Sequence, residues 1–165
     1  MEQNLDDKPV MCTLKGTLFD MTRDCMYPVC VRCYKKVIEI GADGGEMFHC
    51  EKCQVDSKDY KWRMVTEAKI ADDTGSQTII FFQEEAEKLF GIDAHKLGGF
   101  KRRDAPRYDQ VMERVMFSQL RIRIKTQTEI HNGEIRKRMI CQSVEPVQWI
   151  NYGWRLVETL EKIQN

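Results

Sequence analysis

Four of the seven cysteines fall into two matched pairs, Cys30-x2-Cys33 and Cys50-x2-Cys53, with 16 residues between the pairs. Thiols at that spacing do chemistry with a soft cation. Each Cys-x2-Cys turn delivers two sulfurs from a tight knuckle, and a short hairpin brings two knuckles together as a tetrahedron. Four thiolates close the coordination sphere, so the zinc they hold is structural; a catalytic zinc keeps an open position. Disulfides are the competing use of cysteine, and the odd count and the matched knuckles weigh against them. Nucleobase deaminases also carry a Pro-Cys-x2-Cys run. Here Pro28 is one residue too far from Cys30, and no histidine precedes His49 to begin the His-x-Glu half. Cys12, Cys25 and Cys141 are left over and read as small buried thiols.

A second chemistry lies in the charge. The 26 basic and 26 acidic residues cancel overall, yet residues 67–93 carry a balance of −5 and residues 121–138 one of +4. In the basic segment Leu120, Ile122 and Ile124 alternate with Arg121, Arg123 and Lys125, and Asn132-Gly133 is a two-residue type I′ turn signal. With that turn His131 faces Glu134, Gln127 faces Arg138, Lys125 faces Ile140 and Arg123 faces Gln142. Paired residues share a face. Arg121, Arg123, Lys125, Arg136 and Arg138 then form one basic strip, while Ile122, Ile124, Met139 and Cys141 turn to the core. Charged strips on strands are often only solvated faces; clustering of one sign shifts this one towards a polyanion.

Catalysis finds little support. His49, His95 and His131 are dispersed, there is no glycine-rich phosphate loop, and no nucleophile stands with a base. Asp72-Asp73 and Glu84-Glu85 read as a turn and a helix start.

These residues need a scaffold, and 165 residues, 42% hydrophobic and 32% charged, are the material of one folded domain. No run approaches the roughly 18 apolar residues of a membrane span, and the polar, acidic start is unlike a leader. Residues 11–19 read as a strand. Residues 26–60 are a ribbon, with a strand-like run at 35–40, a turn at 41–45 and a return at 46–49. Strands at 62–71 and 77–82 follow, then a helix at 84–90 stopped by Gly91 and another from about 104 to 116 with Pro106 in its first turn. After the basic hairpin, Trp149, Tyr152, Leu156, Leu160 and Ile163 mark the stripe of a last helix. That stripe packs on its own domain or takes a partner helix, and its terminal position and two aromatics favour the partner.

The predicted fold is mainly β with α: a five-stranded Greek-key OB-fold barrel with an inserted zinc ribbon and a C-terminal helix, an architecture whose strand face and two loops bind oligonucleotides. Its domain is residues 7–165, with the ribbon at 26–60 and the helix for subunit association at 146–165.

The chain has a family resemblance. It is carried by Tyr27-Pro28-Val29-Cys30-Val31-Arg32-Cys33-Tyr34-Lys35-Lys36, Cys50-Glu51-Lys52-Cys53, Lys61-Trp62-Arg63-Met64, Phe82-Gln83-Glu84-Glu85-Ala86-Glu87 and Tyr152-Gly153-Trp154-Arg155-Leu156-Val157. Together these are similar to the C-terminal single-stranded-DNA-binding domain of the replication protein A large subunit. The resemblance implies single-stranded DNA in a groove, one structural zinc, no catalysis, nuclear localisation and a last helix that joins a three-helix bundle of OB-fold subunits. It puts the stacking aromatic at Phe82 and brings Lys35 and Lys36 towards DNA. The family's aromatic near the tip of the basic hairpin is replaced by Glu129, Ile130 and His131, which leaves His131 as the stacking candidate. Two biologies fit: general replication and repair, or a telomerase holoenzyme subunit that holds G-rich telomeric overhangs. A protein-interaction scaffold with a vestigial groove is the alternative from another class.

Overall fold

The computed structural model describes residues 9–40, 47–131 and 134–164. In chain order they form β1 (Met11–Met21), β2 (Met26–Cys30), β3 (Ile38–Glu39), β4 (Phe48–Cys50), β5 (Val55–Ser57), β6 (Tyr60–Ala71) and β7 (Ser76–Phe82). Then come α1 (Gln83–Phe90), α2 (Ala94–Arg103), α3 (Ala105–Val115), β8 (Gln119–His131), β9 (Glu134–Pro146) and α4 (Trp149–Gln164).

Alternation decides which strands close on one another. In β6, Met64, Thr66, Ala68 and Ile70 are buried while Arg63, Glu67 and Lys69 are exposed, the period of a half-buried strand. Ile79 and Phe81 of β7 and Ile122 and Ile124 of β8 supply the facing core. The strands run β1-β8-β9-β7-β6, and β6 pairs back onto β1, so the sheet closes as a five-stranded barrel. Neighbours are antiparallel except β7 and β9, which are parallel. That is the Greek-key OB order. β1 serves both edges, pairing β8 over Met11–Thr17 and β6 over Thr17–Met21. Closure needs Gly16, where a Cβ would stand 2.7 Å from the Ala71 carbonyl oxygen.

The three helices between β7 and β8 pack Ala86, Phe90, Leu97, Tyr108, Met112 and Val115 into this core. α2 has no counterpart in the sequence reading, since Gly98-Gly99 in its middle lowers its helix propensity. The Asp93 carboxylate caps it, accepting the Lys96 N–H at 2.9 Å. Gly98 lets the helix lie on Trp62, whose ring would be 2.2 Å from a Cβ at that position.

The hairpin of β8 and β9 keeps the expected register from His131↔Glu134 through Ile124↔Cys141, then departs from it. Arg123 pairs with Ser143 and not with Gln142, because a bulge takes up one residue of β9. The extra residue brings Val144 inward opposite Ile122, where it is 8% exposed. The turn at Asn132-Gly133 lies outside the described residues.

The ribbon also differs from expectation. β2 pairs with β6, so it extends the barrel's sheet, and the ribbon's own sheet is β3-β4-β5. The run at 35–40 shortens to a strand at Ile38–Glu39, and the turn at 41–45 lies outside the described residues. Cys25 and Cys141 are buried as expected, but Cys12 is exposed, because the start of β1 is flanked by β8 alone. No helix among the described residues is long and apolar enough to cross a membrane.

Candidate metal centre and nucleic-acid interface

The two knuckles share one backbone. Tyr34 N–H donates to the Cys30 carbonyl at 3.0 Å and Gln54 N–H to the Cys50 carbonyl at 2.8 Å. Both Tyr34 and Gln54 are left-handed, at φ 57° and 52°. That turn folds each second cysteine back beside its first. The four Sγ atoms lie within 4.8 Å of one another, and those of Cys33 and Cys50 are 3.5 Å apart. A tetrahedral ion with metal–sulfur bonds of about 2.3 Å sets its sulfurs about 3.8 Å apart, so the four residues fit such a centre. Backbone N–H groups of Cys33 and Arg32 pull the Cys30 thiol down to about 6. Hydrogen bonding with Cys33, followed by desolvation, pushes the Cys53 thiol up to about 12. Thiols this close oppose one another's ionisation, and a bound dication would reverse that for all four. When bound, the ion would supply cross-linking alone; Cys30, Cys50, Val37 and Phe48 form a small separate core around it.

The ribbon is fastened to the barrel by α2. Arg102 donates to the Tyr60 hydroxyl at 2.8 Å and bonds Glu39 of β3, with its guanidinium 5.2 Å from the centre of the Phe48 ring. Lys101 bonds Asp24 and the Met26 carbonyl. The Phe48 and Tyr60 rings meet at a 44° tilt with centres 4.3 Å apart, and Tyr60 meets Trp62 edge-on at 5.4 Å, a continuous aromatic row from ribbon to barrel.

On the outer face of the barrel, Phe82 ends β7 directly opposite Val65. Phe81 is fully buried and Phe82 is 47% exposed, the split that alternation demands. Arg63 and Lys61 precede Val65 on the same outer face of β6, and Lys61 sits 5.2 Å from the centre of the exposed Tyr34 ring. Sequence reasoning missed Lys61, Arg63 and Tyr34. For Lys61 and Arg63 the signal was the odd-numbered positions of β6, which pass for ordinary polar alternation until Phe82 is seen on the neighbouring strand.

The strip lies on β8 and β9 as placed from the sequence. Arg121, Arg123, Arg136 and Arg138 are exposed and Lys125 is half-buried. Lys35 and Lys36 are exposed beside the first knuckle. The backbone of His131 pairs with Glu134, while its side chain lies outside the described residues. On α4, Trp149, Leu156, Leu160 and Ile163 are 47–75% exposed, so the stripe is not packed on its own domain. Tyr152 differs: it is half-buried, with the Lys15 ammonium 3.9 Å from its ring centre.

A closed five-stranded barrel with a four-cysteine ribbon between its first two strands defines an OB-fold protein. Residues 11–156 match the family model described as the replication factor-A C terminal domain. The chain belongs to that family. It is 31% identical over 159 residues to the mouse replication protein A 70 kDa DNA-binding subunit, covering 95% of this chain and 25% of that protein. It is 34% identical over 142 residues to the Xenopus tropicalis subunit of the same name, covering 85% and 23%. The chain thus spans about a quarter of the length of the curated relatives it matches. Among solved structures, yeast RPA bound to ssDNA superposes with a TM-score of 0.78 at 23% identity, covering 99% of this chain and 92% of that one. A replication protein A heterotrimer bound to ssDNA gives 0.79 at 22% identity, covering 93% and 35%. These two likenesses establish the OB fold.

Proposed function

We propose that this chain is a non-enzymatic single-stranded-DNA-binding module of a nuclear replication protein A-like large subunit. The observation that carries this is Phe82: an aromatic face left open at a strand end, beside Arg63 and Lys61, on a barrel with a basic strip. Binding without base readout needs aromatic faces for stacking and cations for phosphates, and each stacked base contributes roughly 1–3 kcal/mol. Phe82 serves as the platform, with Arg121, Arg123, Lys125, Arg136, Arg138, His131, Lys35 and Lys36 as cations or secondary contacts. The relatives' name, DNA-binding subunit, supports the same reading.

The ion on Cys30, Cys33, Cys50 and Cys53 is a single structural zinc, because an all-thiolate tetrahedron suits Zn²⁺ and leaves no open position. The exposed stripe of α4 is the surface for other OB-fold subunits, since an apolar helix face of this size is stable only when covered.

Phe82→Ala tests the central role. Anisotropy titrations with a labelled single strand should show binding weakened by about 1–3 kcal/mol with the thermal midpoint unchanged. Unchanged affinity would remove Phe82 from the interface. Running the same titration with G-rich and mixed strands separates a telomere-dedicated protein from a general one.

A further inference from the structure

A cationic cleft opens where α4 meets the barrel, on the β1, β8 and β9 side. Lys15, Arg121 and Arg155 line a cleft of about 140 Å³ together with Glu145, Gln148 and Tyr152. A further cleft of about 200 Å³ shares Arg121 and Glu145 and adds Arg123 and Ser143. Lys15 stands directly opposite Arg121 across the β1–β8 pair. Like charges in that position destabilise a sheet. Among the described residues Lys15, Arg121, Arg123 and Arg155 make no ion pair, although Glu145 is opposite Arg121. Four cations against one carboxylate leave the cleft with a net positive charge that suits an anion brought from outside.

We propose that this cleft is a phosphodiester subsite, in which a single strand long enough to pass from Phe82 across β9 to β8 sets a backbone phosphate among Lys15, Arg121 and Arg155. The inference rests on the DNA reading above and extends it to α4. Three observations favour a nucleic-acid backbone. Arg121, Arg123 and Lys125 repeat every second residue along one strand, about 6.8 Å apart, which tracks a linear polyanion better than a compact one. Guanidinium forks match phosphate oxygens. The cleft's aromatic, Tyr152, is already covered by Lys15, so the site holds backbone and not bases. Arg155 also belongs to the helix that exposes Trp149, Trp154 and Leu160. A phosphate bridging Arg155 to the barrel therefore fixes α4, and strand occupancy and subunit docking become linked.

The test uses the full chain with oligothymidylates of about 4 and about 16 nucleotides, the ends of the range an OB fold covers. Arg155→Gln should weaken the long strand about two- to fivefold, as loss of an exposed charge contact does. It should also reduce the slope of log K against log salt by about 0.7, one single-strand phosphate. The short strand should bind as before. Lys15→Gln, also at an exposed position, should behave alike, while Phe82→Ala should weaken both lengths. Equal losses on both strands, or none on either, would overturn the proposal. So would an acidic peptide whose binding is lost in Arg155→Gln while the long strand is unaffected, which would assign the cleft to a protein partner. If the unaltered chain binds neither strand, the DNA reading fails first; if it binds both and Arg155→Gln changes nothing, only the subsite fails.

Discussion

Individual side chains in this protein are set by unusual backbone as much as by packing. Tyr34 and Gln54 hold left-handed conformations so that each cysteine pair closes, and neither is glycine. Phe117 does the same between α3 and β8, at φ 62°, with 72% of its surface exposed. Its N–H donates to the Leu18 carbonyl at 2.8 Å, which any residue retains. An exposed ring in a left-handed backbone contributes little and strains the chain. Phe117→Gly should therefore stabilise by up to about 1 kcal/mol in urea unfolding, and Phe117→Val should destabilise. A Phe117→Gly variant less stable than the parent would mean that the ring makes a contact that matters to the fold. The cysteine spacing was legible in the sequence because metal chemistry is local. The left-handed turns after each knuckle were not, because Tyr and Gln carry no mark of that conformation.

At the scale of elements, sequence and structure agree where a period of two meets one buried face. β6 and β8 were legible for that reason: a strand that buries Met64, Thr66, Ala68 and Ile70 has only one way to lie. α2 was hidden because what it requires is tertiary. Its adjacent glycines look equivalent in sequence and are opposite in space, Gly98 against the Trp62 ring and Gly99 with nothing within 4 Å of an added Cβ. Gly98→Ala should cost about 1–3 kcal/mol through overpacking, and Gly99→Ala should gain about 0.5–1 kcal/mol through helix propensity. Chemical denaturation of the pair checks both signs; two changes of the same sign would contradict the seat of α2 on Trp62. The bulge at Gln142 was invisible for a similar reason, since only the buried position of Val144 demands it.

For the whole molecule, the ribbon and the barrel hold two separate cores, joined by the β2–β6 pair, the Arg102 clamp and the aromatic row from Phe48 to Trp62. The larger runs through the barrel and the three helices, and the smaller holds Cys30, Val37, Phe48 and Cys50. The smaller core is too slight to persist by itself; the Arg102 clamp supports it, and an ion on the four thiols would cross-link it. A strong chelator should therefore open the amides of β4 and β5 to hydrogen exchange while β6, β7 and β8 stay protected. Simultaneous opening of the barrel would show that the two fold as one unit. Arg102 itself was illegible beforehand, because a cation on an unrecognised helix has no visible partner.

The candidate interface depends in part on this assembly, since Tyr34 meets Lys61 of β6 only when the ribbon is seated. A phosphate-tracking, stacking groove for single-stranded DNA is tested most simply by the salt dependence of binding. Anisotropy of a labelled mixed-sequence strand, titrated with the chain at several salt concentrations, should give log K falling linearly with log salt, by about 0.7 per phosphate contacted. Absent binding, or binding indifferent to salt, would mean that the groove does not track phosphates.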